Sequence, residues 1–261
     1  MPLARGVLLY AGVNASAREG VFMLWGRPGF VLSSAQVLCN VRAAPTTHRA
    51  TMRSVLVLGA TGASGRCVVD EGLARGHRVV ALARSESARN TFPSGAQVTI
   101  GDALRSKDLV DAVRDVDVVV SCLGSRPWRH VDVCSMGMDA LLRAYQSTGT
   151  RRTVVMSSFG VRATRGETAW LERVMFYDLF IRRSLDDKAR MEEMLQASSV
   201  PFTLVRPGLL TGGGVRSSLR AADDGSIRGS FLRVSRESVA RFMLDAIESE
   251  EWLRRAPTLA Y

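Results

Sequence analysis

The chain has few of the residues that bind metals or form disulfide scaffolds. Only three histidines occur among 261 residues, His48, His77 and His130, and they are too dispersed to suggest a metal site. The four cysteines stand at positions 39, 67, 122 and 134, without a Cys-x-x-Cys pair. This pattern excludes a disulfide framework and favours a reducing compartment. We therefore predict no bound metal.

Long basic runs are also missing, although the formal net charge is +10. Arginine is scattered through every segment, and no aromatic-rich basic strand of the RNA-binding type is present. We therefore predict no nucleic-acid partner, and the cationic surface suits an anionic cofactor instead. The 46% hydrophobic and 23% charged residues are typical of a globular protein, and 261 residues are enough for one sizeable α/β domain.

Residues 1–51 lack sustained periodicity and differ from the rest of the chain. Their apolar clusters are far shorter than the roughly 18 residues that span a bilayer, so no membrane segment is predicted. Five arginines and one glutamate resemble the composition of an organelle transit peptide. The alternatives are a disordered tail or an upstream leader read as protein, because Met52 stands just before the first predicted strand. We expect a domain over 52–261 and a cytoplasmic location, or a mitochondrial one if the transit peptide is genuine.

Three evenly spaced glycines follow the first apolar run of this domain. Residues 55–66 read VLVLGATGASGR. A buried strand that enters such a turn and then opens a helix builds a pyrophosphate site, because glycine admits the phosphates and the first helical turn directs its N–H groups at them. An ordinary glycine-rich turn is the alternative. The residues predicted to contact the cofactor here are Gly59, Thr61, Gly62, Ala63, Ser64, Gly65 and Arg66.

From Ser54 onward, short β-branched runs alternate with helical patterns, which predicts an α/β fold with a doubly wound parallel sheet of the Rossmann type. Right-handed crossovers give the strand order 3-2-1-4-5-6, with the cofactor across the switch point. A smaller C-terminal region on the substrate side follows, with a helix over Arg236–Ile247 capped by Ser235. The six predicted strands are Val55–Gly59, His77–Ala83, Gln97–Ile100, Asp117–Cys122, Thr153–Ser157 and Phe202–Val205.

Six motifs along this frame resemble an atypical short-chain dehydrogenase. They are GATGASGR at 59–66, Ala-Arg at 83–84, Gly-Asp at 101–102, VVSCLG at 119–124, MSSFG at 156–160 and FTLVRPGLL at 202–210. The chain is similar to the NmrA-like and biliverdin-IXβ/flavin reductase-like NAD(P)H-binding group. The resemblance implies that Asp102, with the adjacent Ala103, binds the adenine; the alternative for Asp102 is an ordinary turn residue. It also implies that Leu123 and Gly124 pass beside the adenine ribose.

The residues after the second strand bear on the choice of cofactor. A carboxylate there would bind the ribose 2′-hydroxyl of NAD, whereas an arginine pairs with the 2′-phosphate of NADP. Arg84, followed by Ser85, favours NADP(H) over NAD(H). Glu86 is the competing residue, because a shift of two positions would place a carboxylate at the ribose.

The reaction centre lacks the Tyr-x-x-x-Lys motif by which short-chain dehydrogenases reduce carbonyls, since Ile181 follows Tyr177 at the fourth place. The resemblance implies a hydroxyl from Ser157 or Ser158 near the nicotinamide, and Lys188 near its ribose or the substrate. The alternatives are a strand-end cap for the serines and a surface ion pair of Lys188 with Glu192. Arg206 and Pro207 resemble the loop along the substrate pocket, where the backbone contacts the cofactor.

These observations predict an NADP(H)-dependent oxidoreductase. Hydride transfer to a conjugated acceptor needs no tyrosine acid if both rings are stacked and water supplies the proton. The predicted substrate is therefore a small quinone-, flavin- or tetrapyrrole-like molecule, bound by a monomer or dimer. The main alternative is a non-catalytic NADP(H)-binding regulator or assembly factor of the NmrA-like kind. An isomerase or epimerase is a further alternative, but it would require the Tyr/Lys pair that this sequence lacks.

Overall fold

The computed structural model describes residues 52–124, 132–161, 182–229 and 231–261. The prediction for the extension over 1–51 lies outside these described residues. The sequence also predicts a long helical region over about 169–197, and its part before residue 182 lies outside them as well.

A parallel sheet organises the described chain. Its order, β3-β2-β1-β4-β5-β6, confirms the predicted doubly wound arrangement. β10 adds parallel to β6, and β8 closes the edge antiparallel to β10, while β7 and β9 form a separate parallel pair. The strands are β1 (Ser54–Leu58), β2 (Arg78–Ala83), β3 (Gln97–Ile100), β4 (Val118–Ser121), β5 (Arg152–Met156), β6 (Phe202–Pro207), β7 (Leu209–Thr211), β8 (Arg220–Ala222), β9 (Arg233–Ser235) and β10 (Thr258–Ala260).

Helices cover both faces of this sheet, and its central strands accordingly carry buried residues on both faces. Alternate residues of β1 enter opposite cores: Val55 and Val57 face one cluster, and Leu56 and Leu58 face the other. The first cluster includes residues of α1 and α5, and the second includes residues of α2, α3 and α4. The helices are α1 (Ala63–Ala74), α2 (Ser106–Arg114), α3 (Val133–Thr148), α4 (Arg182–Ala197) and α5 (Arg236–Glu248), with a short 3-10 helix over Glu86–Thr91.

The sequence correctly predicts the residue that caps the amino end of α5. The Ser235 side chain accepts a hydrogen bond from the Ser238 amide at 3.1 Å, which confirms the predicted cap. None of the helices within the described ranges is both long and apolar enough to cross a membrane.

Strand β6 does not stop at Val205 as the Arg-Pro-Gly sequence predicts, but continues through Pro207. The proline fits because the hydrogen bonds to β10 are made by its neighbours: Arg206 donates to Pro257 O at 2.8 Å and Gly208 to Leu259 O at 3.0 Å. The missing N–H of Pro207 therefore lies on the side of β5.

Candidate dinucleotide-binding site

The turn between β1 and α1 is so compact that two of its positions, Gly59 and Gly65, leave no room for a Cβ atom. Gly59 adopts a left-handed φ of 73°, and a Cβ there would lie 2.8 Å from Cys122 O. A Cβ on Gly65 would lie only 2.2 Å from Gly59 O, so α1 can approach β1 this closely only with glycine at that position. The Gly62 amide closes the turn by donating to Gly59 O at 3.0 Å.

The amino end of α1 has no local group to neutralise it. Gly62 is the N-cap residue and offers no side-chain hydrogen bond, and the first turn contains no acidic residue. The first-turn amides and the positive end of the helix dipole can therefore bind an anion. Ala63, Ser64 and Gly65, three of the residues predicted to contact the cofactor, belong to this first turn.

A cleft of ≈ 360 Å³ opens beside this turn, at the carboxyl ends of β1, β2 and β4. The lining residues that the sequence predicted are Gly59, Thr61, Gly62, Arg84, Asp102, Ala103, Leu123 and Gly124. The lining residues that it missed are Leu82, Ala83, Gly101, Leu104, Cys122 and Val133. Most of the missed residues neighbour a predicted one, whereas Val133 reaches the cleft from the start of α3, and no local motif signals this.

Arg84 stands exposed at the rim of the cleft, directly after β2. Its guanidinium forms no hydrogen bond or ion pair with the other described residues, whereas Glu86 pairs with Arg89 within the 3-10 helix. This hydrogen bond from Arg89 lowers the pKa of Glu86. Of the two residues that compete for the ribose, the carboxylate is therefore already engaged and the arginine is available.

Two aspartates shape the part of the cleft that follows β3. Asp102 Oδ1 accepts from the Leu104 amide at 3.0 Å, and Asp108 Oδ2 accepts from the Asp102 amide at 2.8 Å. Asp102 is therefore both a turn residue and part of the lining. At the opposite wall, burial raises the pKa of the Cys122 thiol to about 12, so this thiol is neutral near pH 7.

Two predicted arginines do not line the cleft, and their guanidinium groups bind other groups of the protein; Arg66 Nε, for example, donates to Thr61 O at 3.3 Å. Arg66 Nη1 donates to Thr91 O at 2.7 Å, and its guanidinium lies 5.5 Å from the centre of the Phe92 ring. Arg206 forms a buried, bidentate pair with Glu192, with Nη2 2.6 Å from Oε2 and Nε 3.1 Å from Oε1. The adjacent Pro207 belongs to β6, outside this lining.

Lys188 and the two serines meet at the carboxyl end of β5. Lys188 is only 9% exposed, and its Nζ lies 3.1 Å from Ser157 O and 3.4 Å from Met156 O. A surface ion pair of Lys188 with Glu192 is therefore the wrong interpretation, because both residues are buried and Glu192 binds Arg206. The Ser157 hydroxyl is buried and has no hydrogen-bond partner within the described ranges, whereas Ser158 Oγ donates to Phe159 O at 3.1 Å.

Asp187, next to Lys188, fixes the start of α3. Its fully buried carboxylate accepts from the Cys134 amide at 2.8 Å, the Ser135 amide at 2.9 Å and Ser135 Oγ at 2.6 Å. It thereby supplies, from α4, the cap that the N-cap residue Asp132 does not provide, since the Asp132 side chain pairs with Arg190 instead. One turn of α4 thus holds the end of β5 through Lys188 and the start of α3 through Asp187.

We expect Asp187→Asn to lower the free energy of unfolding by about 2 kcal/mol, because an amide replaces the charge and one of the acceptor oxygens. Urea denaturation measures this difference. Asp186→Asn is the matched control: its carboxylate is exposed and lies 3.9 Å from Arg182, so its loss should cost less than about 0.5 kcal/mol. Equal losses in the two variants would contradict the capping role.

The fold, the glycine cradle and the uncapped helix together define a Rossmann-fold protein with a dinucleotide-binding cleft. Residues 59–250 match the profile of the NAD(P)H-binding family, and the chain belongs to that family.

A plant reductase is among the similar proteins. The chain is 27% identical to the bifunctional pinoresinol-lariciresinol reductase 2 of Thuja plicata over 167 residues, which are 60% of this chain and 50% of that protein. The chain thus spans about half the length of this relative.

Solved structures share the fold. ChuY, an anaerobillin reductase of Escherichia coli, superposes with a TM-score of 0.67 at 19% identity, over 79% of this chain and 96% of ChuY. A short-chain dehydrogenase/reductase of Veillonella parvula, in complex with NADP, superposes with a TM-score of 0.67 at 17% identity, over 81% of this chain and 95% of that protein.

Proposed function

We propose that this protein is an NADP(H)-dependent oxidoreductase that transfers hydride to a small conjugated acceptor of the quinone, flavin or tetrapyrrole type. The observation that carries the proposal is the cleft itself: an uncapped helix terminus and a glycine cradle at one side, and an unengaged arginine at the rim. Reductases among the similar proteins support the general activity.

The residues of the cleft fit the cofactor. The pyrophosphate would lie against Gly62 and the first turn of α1, the adenine near Asp102, and the 2′-phosphate against Arg84. Bound NADPH would supply a hydride from its nicotinamide ring.

The residues at the end of β5 suit the acceptor side of the reaction. The unpartnered Ser157 hydroxyl requires a hydrogen-bond partner, and a polar group of a ligand would satisfy it. Lys188 places a positive charge beside it, which would stabilise an acceptor as it gains negative charge. No tyrosine of the Tyr-x-x-x-Lys type is present in the sequence, so we assign the proton to water. This favours a conjugated acceptor over a ketone.

We expect Arg84→Ala to weaken NADPH binding by about tenfold to a hundredfold and NADH binding by less than about threefold, because only NADPH carries the phosphate that Arg84 pairs with. Fluorescence titration of each cofactor against the full chain measures both constants. Arg105→Ala, which removes an exposed arginine outside the cleft lining, is the control. An equal loss for both cofactors would refute the phosphate assignment.

Turnover tests the activity as a whole. The purified full chain is incubated with NADPH and a panel of quinones, flavins and tetrapyrroles, and oxidation of the cofactor is followed by its absorbance. We expect consumption with at least one class, and a lower rate for Lys188→Ala. Tight NADPH binding without turnover of any acceptor would refute the oxidoreductase and support the regulator.

A further inference from the structure

The hydrogen-bond ladder between β5 and β6 has one missing rung. Thr153 donates to Pro201 O at 2.9 Å, Ser157 to Val205 O at 2.7 Å and Phe159 to Pro207 O at 2.8 Å. In a parallel ladder, the β6 residue that accepts from Phe159 is the same residue whose amide would donate to Ser157 O. That residue is Pro207, which has no N–H.

Lys188 occupies the position that this missing rung leaves open. Pro207 cannot donate a hydrogen bond to the Ser157 carbonyl. This carbonyl instead accepts a hydrogen bond from Lys188 Nζ at 3.1 Å. The lysine side chain is buried, so its ammonium depends on protein acceptors in place of water. Lys188, from α4, thus donates to the carbonyl that Pro207, in the next element β6, leaves without a backbone donor.

The position of residue 207 is fixed independently of the proline ring. Its neighbours Arg206 and Gly208 donate to β10 on the other side of the strand, and its own carbonyl accepts from Phe159. An alanine at this position would therefore present its amide to Ser157 O with no change of register. The substitution adds one competing donor and leaves the ladder otherwise intact.

We propose that Pro207 is a positioning residue that acts through Lys188. By withholding a backbone N–H, it reserves the Ser157 carbonyl for the ammonium and holds that charge at the carboxyl end of β5, beside the unpartnered Ser157 hydroxyl. The consequence for turnover rests on the proposed function, in which Lys188 faces the acceptor. The anchoring of Lys188 to the Ser157 carbonyl does not depend on that function.

Selective acetylation of the full chain tests the anchoring without reference to activity. The sequence contains only two lysines, and Lys107 is exposed, so it serves as an internal reference. We expect Pro207→Ala to raise the acetylation rate of Lys188 relative to Lys107 by about tenfold, because the new amide weakens a hydrogen bond to a charged group. Pro201→Ala, at the other end of β6, should leave the ratio unchanged. An unchanged ratio in Pro207→Ala would overturn the proposal.

Hydrogen exchange and kinetics give the second readout. The backbone amide that Pro207→Ala introduces should be protected from exchange, which shows that it bonds Ser157 O. In the presence of NADPH and an acceptor, Pro207→Ala should lower kcat by about fivefold in the wild-type background and have no effect in Lys188→Ala. Equal effects in both backgrounds would overturn the positioning role. Absence of turnover in every variant would refute the oxidoreductase, while the acetylation ratio would still decide the anchoring.

Discussion

Gly65→Ala is expected to lower the free energy of unfolding by about 3 kcal/mol and to weaken NADPH binding by at least about tenfold. A Cβ at this position would stand 2.2 Å from Gly59 O and 2.8 Å from Ala60 Cα. Both atoms are backbone, so no side chain can move aside, and α1 must shift away from β1. The shift would carry the first-turn amides away from the phosphates. Urea denaturation and fluorescence titration of NADPH measure the two effects.

Gly212→Ala is the matched control for this experiment. Gly212 is exposed, and a Cβ there would meet no atom within 4 Å. The same substitution at this position should therefore leave the free energy of unfolding and the NADPH affinity equal to the wild-type values within experimental error. If Gly65→Ala behaves like Gly212→Ala, the close approach of helix and strand does not form the cofactor site.

Glu192→Leu is expected to lower the free energy of unfolding by about 3–5 kcal/mol, because it leaves the Arg206 guanidinium buried without a carboxylate. The two side chains are 5% and 10% exposed, and their contact is bidentate. The effect arises from an uncompensated charge, so it should be largely reversed when the charge is also removed. Urea denaturation measures the free energy of unfolding of Glu192→Leu and of Glu192→Leu/Arg206→Met, and the difference between these two variants tests the explanation.

The double variant and a surface pair serve as controls. Glu192→Leu/Arg206→Met should lie within about 1–2 kcal/mol of the wild type, since apolar groups of similar volume replace the pair. Asp139→Leu breaks the exposed pair with Arg143 and should cost less than about 1 kcal/mol. A double variant as unstable as Glu192→Leu alone would show that the loss comes from packing and not from the buried charge.

The sequence predicts most of the parallel sheet because its signals are local. β1, β4 and β5 are strands of four or five residues that each contain three or four consecutive apolar residues, and the glycine turn follows directly from β1. The first-turn position of Ser64 and the exposed arginine after β2 follow from the same local order. By contrast, the extension of β6 through Pro207 depends on β10, which joins the sheet about fifty residues later in the chain.

The sequence by itself determined the doubly wound order and the glycine cradle, because strand periodicity and turn geometry depend on neighbouring residues. Only the tertiary structure decided the roles of Lys188 and Glu192. Their four-residue spacing predicts a surface pair, but the helix turns this side toward the sheet, where each residue has a better partner. Those partners, Ser157 and Arg206, lie 31 and 14 residues away. A buried charge selects its partner by distance in space, and no local pattern records that distance.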